Sequence, residues 1–84
     1  MYEVIISEKA LKQINKLQKE VQKRIFKSLE RIRIRPEAYV TKLVGDVGYK
    51  LRVGDYRIIL DIDKNKLIVL VIKVGHRRNI YKKI

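Results

Sequence analysis

The chain has no cysteine and a single histidine, so it can form neither a disulfide framework nor a thiolate metal site, and one histidine cannot build a zinc site without a crowd of carboxylates. No metal and no cofactor is expected. Long apolar runs are missing as well. The longest, Leu67 to Ile72, falls far short of the roughly 20 residues that span a bilayer, and the start Met1-Tyr2-Glu3-Val4 carries no basic leader. The expectation is a cytoplasmic protein without a membrane partner. Acidic residues are scarce too: nine Asp and Glu stand against 21 Lys and Arg, a formal net charge of +12. So dense a positive field repels itself in the folded state and attracts polyanions, which makes RNA or an acidic protein the natural partner.

What is present is a foldable core. Hydrophobic residues make up 46% of the 84 positions and charged ones 36%, and the apolar residues are periodic, unlike those of a disordered basic tail. One domain spanning 1–84 is expected, with a single core. Tyr2 to Ile6 reads as a strand, and Ser7-Glu8 as a helix N-cap followed by an acidic first turn. Ala10, Leu11, Ile14 and Leu17 recur at helical spacing, and after a break near Gln18-Lys19 so do Val21, Ile25, Leu29 and Ile32. These predict an αα-hairpin, ended around Arg33 to Arg35 because Pro36 disfavours helix at the residue before it.

Beyond Pro36 the period falls to two. Thr41–Val44, Tyr49–Val53, Tyr56–Asp63 and Lys66–Val74 are predicted strands, with Gly54-Asp55 as a primed two-residue turn and Lys64-Asn65 as a weaker one. The fold class is therefore α+β, an N-terminal strand and αα-hairpin followed by an antiparallel sheet packed on the helices, with a short basic C-terminal tail. A tight first hairpin sets Val53 opposite Tyr56, Arg52 opposite Arg57 and Leu51 opposite Ile58. Tyr49, Leu51, Val53, Tyr56, Ile58, Leu60 and Ile62 then share the face under the helices, while Lys50, Arg52 and Arg57 share the other. If the second hairpin is equally tight, Leu67, Val69 and Val71 join the covered face and Ile68, Leu70 and Ile72 extend the arginine side. That side is then basic at one end and apolar at the other, and an apolar patch of this kind is a place for a partner chain or the tail.

Each candidate has a plain structural reading beside the functional one. Lys50, Arg52 and Arg57 could be a solvated sheet face; two arginines placed opposite each other destabilise a sheet, so a sequence that keeps them there is either solvating that face or using it. His76 could be an ordinary loop residue, or, among cations that disfavour its charged form, a base or acceptor. Tyr81 could pack the tail, or offer a phenol and a stacking ring at a site. Lys82 and Lys83 suit an electrostatic tail, and Lys12, Lys16, Lys19, Lys23 and Lys27 the solvated helix faces. No paired histidines, His–Glu couple or acidic cluster is available for efficient proton transfer or two-metal chemistry. Any chemistry on a phosphodiester must rely on cations and on a substrate positioned by something else.

The run Lys42-Leu43, Tyr49-Lys50-Leu51-Arg52-Val53-Gly54-Asp55-Tyr56-Arg57-Ile58-Ile59, then Val74-Gly75-His76-Arg77 with Ile80-Tyr81, resembles the signature of the RelE/ParE toxin superfamily. The likeness is nearest to the RelE branch, archaeal members in particular, and covers nearly the whole chain. It implies the toxin of a type II toxin–antitoxin pair, a ribosome-dependent and metal-independent endoribonuclease that cuts messenger RNA in the A site by attack of the 2′-hydroxyl on the adjacent phosphate. Carried over by position, it implies catalytic roles for Lys50, Arg57, Arg77 and Tyr81. Arg52, His76, Arg78, Lys82 and Lys83 are expected to bind RNA. The implied partners are an acidic RelB-like antitoxin, a 70S-type ribosome with its messenger, and DNA only through the antitoxin. A ParE-like inhibitor of DNA gyrase without cleavage activity, or an RNA-binding module without chemistry, are the alternatives.

Overall fold

The computed structural model describes residues 1–45 and 47–78, in which Ser7 performs the capping role its position suggests: its hydroxyl accepts from the Ala10 N–H at 3.1 Å. Helix α1, Glu8–Asn15, starts from that cap and buries Ala10 and Ile14. Helix α2, Lys19–Ile32, buries Ile25, Leu29 and Ile32 on one stripe. Its backbone stops one residue before the expected end and passes into a short 3-10 turn, Pro36–Ala38, which proline at the first position favours.

Five strands flank the helices: β1 (Glu3–Ile6), β2 (Val40–Lys42), β3 (Tyr49–Val53), β4 (Tyr56–Asp63) and β5 (Ile68–His76). They form one sheet in the order β1-β5-β4-β3-β2. The four strands after the helices pair antiparallel as expected. Strand β1 adds itself parallel to β5, with Glu3 beside Ile68 and Ile6 beside Val71, so that β5, the last strand among the described residues, lies inside the sheet. The αα-hairpin supplies the crossover that a parallel neighbour requires.

The β3–β4 hairpin has the predicted register: Val53 opposite Tyr56, Arg52 opposite Arg57, Leu51 opposite Ile58. Gly54 takes the left-handed φ of 59° that the first position of its turn demands. The β4–β5 hairpin differs from expectation. Its loop is the four residues 64–67 rather than Lys64-Asn65 alone, because the Asp63 carboxylate accepts from the N–H groups of Asn65 and Lys66 and draws the chain into a wider turn. Leu67, expected under the helices, closes that turn with φ 55° and is exposed instead. A loop longer by two residues preserves the alternation of β5 itself, so Val69 and Val71 remain buried.

One irregularity then reverses the alternation. Leu60 pairs with Val71 but Ile59 pairs with Lys73, which leaves Ile72 as the extra residue of a β-bulge. Side chains of α1 and its cap hold the bulge in place. The Ser7 hydroxyl donates to the Ile72 carbonyl at 2.9 Å, and the Gln13 carbonyl Oε1 accepts from the Val74 N–H at 2.7 Å. Beyond the bulge Val74 packs under the helices and Lys73 turns to the opposite face.

The core lies between the helix pair and one face of the sheet. Ile14, Ile25, Ile58, Leu60, Val69 and Val71 are fully buried there, each contributing about 1.5–3 kcal/mol from the apolar surface removed from water. On the opposite face only Leu43 and Ile59 form a small buried pair among the described residues.

Candidate functional site

The strand alternation that buries Leu51, Val53, Ile58 and Leu60 under the helices turns Lys50, Arg52, Arg57 and Ile59 to the uncovered face. Lys73 joins them only because of the bulge. Two rows of residues cross the strands there. In the first, Lys50, Ile59 and Lys73 stand on β3, β4 and β5; in the second, Arg52, Arg57 and Gly75. At ordinary strand spacing, Lys50 and Lys73 are roughly 9.5 Å apart along the row. Ile59 between them is 4% exposed and packs with Leu43, so the cations stand around an apolar floor.

The cations are held to different degrees. Arg52 is exposed, while Arg57 is half-buried, with its Nη1 donating to the Gly54 carbonyl at 3.3 Å and the Tyr56 carbonyl at 3.2 Å. Those two bonds hold its guanidinium over the hairpin turn. Lys73 is 8% exposed. Arg77 follows β5, exposed, and its backbone N–H donates to the Asp55 carbonyl at 2.9 Å. The β5 end is thereby fastened to the tip of the β3–β4 hairpin, which brings Arg77 to the same end of the sheet as Arg57. The ion pairs Arg33–Glu30 and Lys64–Glu37, at 3.1 and 3.6 Å, lie elsewhere.

His76 pairs with Tyr56 in the row that contains Val53, on the helix side of the sheet and therefore behind Arg57 rather than beside it. Its ring meets the Tyr56 ring edge-on, with centroids 5.5 Å apart and planes at 81°. Arg78 is exposed at the turn after β5. Tyr81, Lys82 and Lys83 lie outside the described residues. So Lys50, Arg52 and Arg57 share one face and Arg77 is tied to its edge, whereas His76 sits on the other face.

Reading the strand with a strict period of two misses Lys73, since that period assigns it to the helix side. The only signal in the chain would be Ile72-Lys73-Val74 itself, a charge where a core residue is due. Among the described residues no group of three or more His, Cys, Asp or Glu could hold a metal ion, and no helix is long and apolar enough to cross a membrane. The apolar end of the open face consists of Ile5, Leu70 and Ile72, each between 37% and 40% exposed.

The fold has counterparts. Residues 4–81 match the family model described as the ParE toxin of the type II toxin–antitoxin system parDE. No curated protein matches the chain in sequence. Among solved structures, the intact Escherichia coli RelBE toxin–antitoxin complex contains a chain 34% identical, with a TM-score of 0.75, covering 90% of this chain and 96% of that one. The RelBE2 toxin–antitoxin complex of Mycobacterium tuberculosis gives a TM-score of 0.82 at 22% identity, covering 90% and 98%. The archaeal RelE–RelB complex of Pyrococcus horikoshii gives 0.77 at 24% identity, covering 93% and 97%. These last two share the fold.

Proposed function

The chain belongs to the RelE branch of the RelE/ParE superfamily, the toxins of type II toxin–antitoxin systems, and from that premise we propose that it is a ribosome-dependent endoribonuclease that cuts messenger RNA in the A site. The observation that carries the reading is the cation array on the uncovered sheet face, Lys50, Arg52 and Arg57 side by side with Arg77 tied to their edge. Opposed arginines cost a sheet stability, so keeping them there fits a face that meets a polyanion.

In this reading the 2′-oxygen of one nucleotide attacks the adjacent phosphorus, and the bond from phosphorus to the 5′-oxygen breaks. The 2′-proton is lost and the leaving oxygen gains one, which leaves a 2′,3′-cyclic phosphate and a 5′-hydroxyl. Negative charge builds on the phosphoryl oxygens on the way. Arg57, already held by two carbonyls, and Arg77 neutralise it, and such donors act without reorganising at the moment of reaction. Lys50 adds charge near the attacking side, and Tyr81 stacks on a base or moves a proton. The site has no His–Glu couple for proton transfer, so the ribosome must present the messenger in a reactive geometry.

An acidic antitoxin of the RelB type, covering the open face with its apolar end of Ile5, Leu70 and Ile72, accounts for the charge of +12 and for that patch together. It would also make whatever DNA contacts the pair uses, and the toxin would work in the cytoplasm, where ribosomes translate.

The test is cleavage on ribosomes programmed with a defined messenger and an empty A site. The expected result is a cut within the A-site codon that chelator does not abolish, with naked RNA at the same toxin concentration left intact. Rapid cleavage of the naked RNA would sink the ribosome requirement. The match to a ParE model favours, as the second reading, an inhibitor of DNA gyrase that cleaves nothing. A supercoiling assay separates the two: gyrase should run at its normal rate with toxin present.

A further inference from the structure

The single histidine faces away from the cation array, yet both of the backbone ties around Arg77 involve its immediate neighbourhood. We propose that His76 is a positioning residue for Arg77: its imidazole Nδ1 closes the turn that aims the Arg77 side chain at the cationic face. The proposal rests on the cleavage reading of that face.

Three contacts carry it. Nδ1 of His76 accepts from the Arg78 N–H at 3.2 Å, so a side chain at one position closes the backbone two residues on, as asparagine and aspartate do in Asx turns. The ring is itself fixed, edge-on against Tyr56 at 5.5 Å. Between the two, the Arg77 N–H donates to the Asp55 carbonyl at 2.9 Å. The backbone of Arg77 is thus held on one side by the hairpin tip and on the other by the imidazole. An acceptor at Nδ1 requires the proton to sit on Nε2.

Arg77 stands just past the last ladder position, where an untied residue fans over several directions. Reacting groups must be held close to their productive geometry, and a misplacement of about 1 Å can cost ~10²-fold in rate. One hydrogen bond of ordinary net strength corresponds to a roughly tenfold change in the population of the aimed state. His76 is therefore required for rate while touching no RNA.

Two variants divide this role from direct RNA contact. His76→Phe keeps a ring against Tyr56 and deletes the acceptor; His76→Asn keeps an acceptor at the spacing of an Asx turn and deletes most of the ring. On programmed ribosomes at saturating toxin, single-turnover cleavage should fall roughly tenfold in His76→Phe and return to within about threefold of wild type in His76→Asn. The ribosome concentration for half-saturation and its salt dependence should stay at wild-type values in both. Amide exchange of Arg77 and Arg78, read on the toxin alone, should quicken in His76→Phe and stay slow in His76→Asn. Unchanged exchange in His76→Phe would overturn the proposal, and so would equal losses in both variants with a shallower salt dependence, which would make His76 an RNA contact. Because exchange needs no substrate, a wild type that cleaves nothing would overturn the activity reading while exchange still decided the tie.

Discussion

The covered and uncovered faces of this sheet are built from alternate residues of the same strands, yet one is almost wholly aliphatic and the other gathers like charges. Under the helices, Ile58, Leu60, Val69 and Val71 lose all contact with water. One residue along β4 from Ile58, Arg57 faces Arg52 across the ladder, an arrangement that costs stability. The contrast teaches where each property resides. Folding free energy comes from one side, and that surplus lets the other side keep an electrostatically unfavourable cluster. Substitutions should therefore separate into two kinds, according to the face they touch.

The largest effect on stability is expected at the centre of the covered face. Leu60→Ala should lower the unfolding free energy by about 2–5 kcal/mol in a urea titration, with cleavage per folded molecule retained. A loss of specific activity without a loss of stability would erase the distinction between the faces. Arg57→Ala and Arg77→Ala should do the reverse, reducing the saturated cleavage rate by ~10²–10³, equivalent to about 2.7–4 kcal/mol of transition-state stabilisation. Their melting temperatures should stay close to wild type, and their ribosome affinity should change far less than their rate, because many other cations remain to dock the particle. Wild-type rates at saturation in both would place the active site elsewhere.

Gln13 joins the two sides, because a helix residue on the core side fixes the bulge that turns Lys73 outward. Gln13→Leu leaves the Val74 N–H without its acceptor at a cost of about 1–3 kcal/mol, and it should also lower cleavage by loosening the Lys73 row. Gln13→Glu, which keeps an acceptor oxygen, should restore both, and a differential melt read beside the ribosome assay checks this. The smallest effect is expected at Arg52→Val. Relieving the like-charge pair should raise stability by a few tenths of a kcal/mol, while the slope of log affinity against log salt becomes shallower by about 0.7 if one phosphate contact is lost.

How far these features can be read from the chain depends on how local their causes are. The β3–β4 hairpin is legible to the residue because its determinants, alternating apolar positions and a glycine at the turn, lie within a dozen residues. With it comes the shared face of Lys50, Arg52 and Arg57. Periodicity misplaces Leu67 because Asp63 recruits two backbone N–H groups and widens the next turn, an effect that strand alternation does not carry. It cannot place Lys73 because the bulge beside that residue is held by Ser7 and Gln13, 65 and 61 positions away from their partners. His76 is legible as a special residue but its side is not, since the same bulge decides which way it faces.

The interior place of β5 also sets an order in time. A strand that is made late, and that must pair with β1 across 65 positions and with β4 across a hairpin, cannot seat until nearly all of the described chain has been synthesised. Pairings of such long sequence separation are slow to form, because the entropy of closing the loop is lost before any contact rewards it. Before that moment there is neither a bulge for α1 to grip nor a row in which Lys73 and Gly75 can stand. A nascent chain therefore carries no assembled cation face until β5 has joined the sheet.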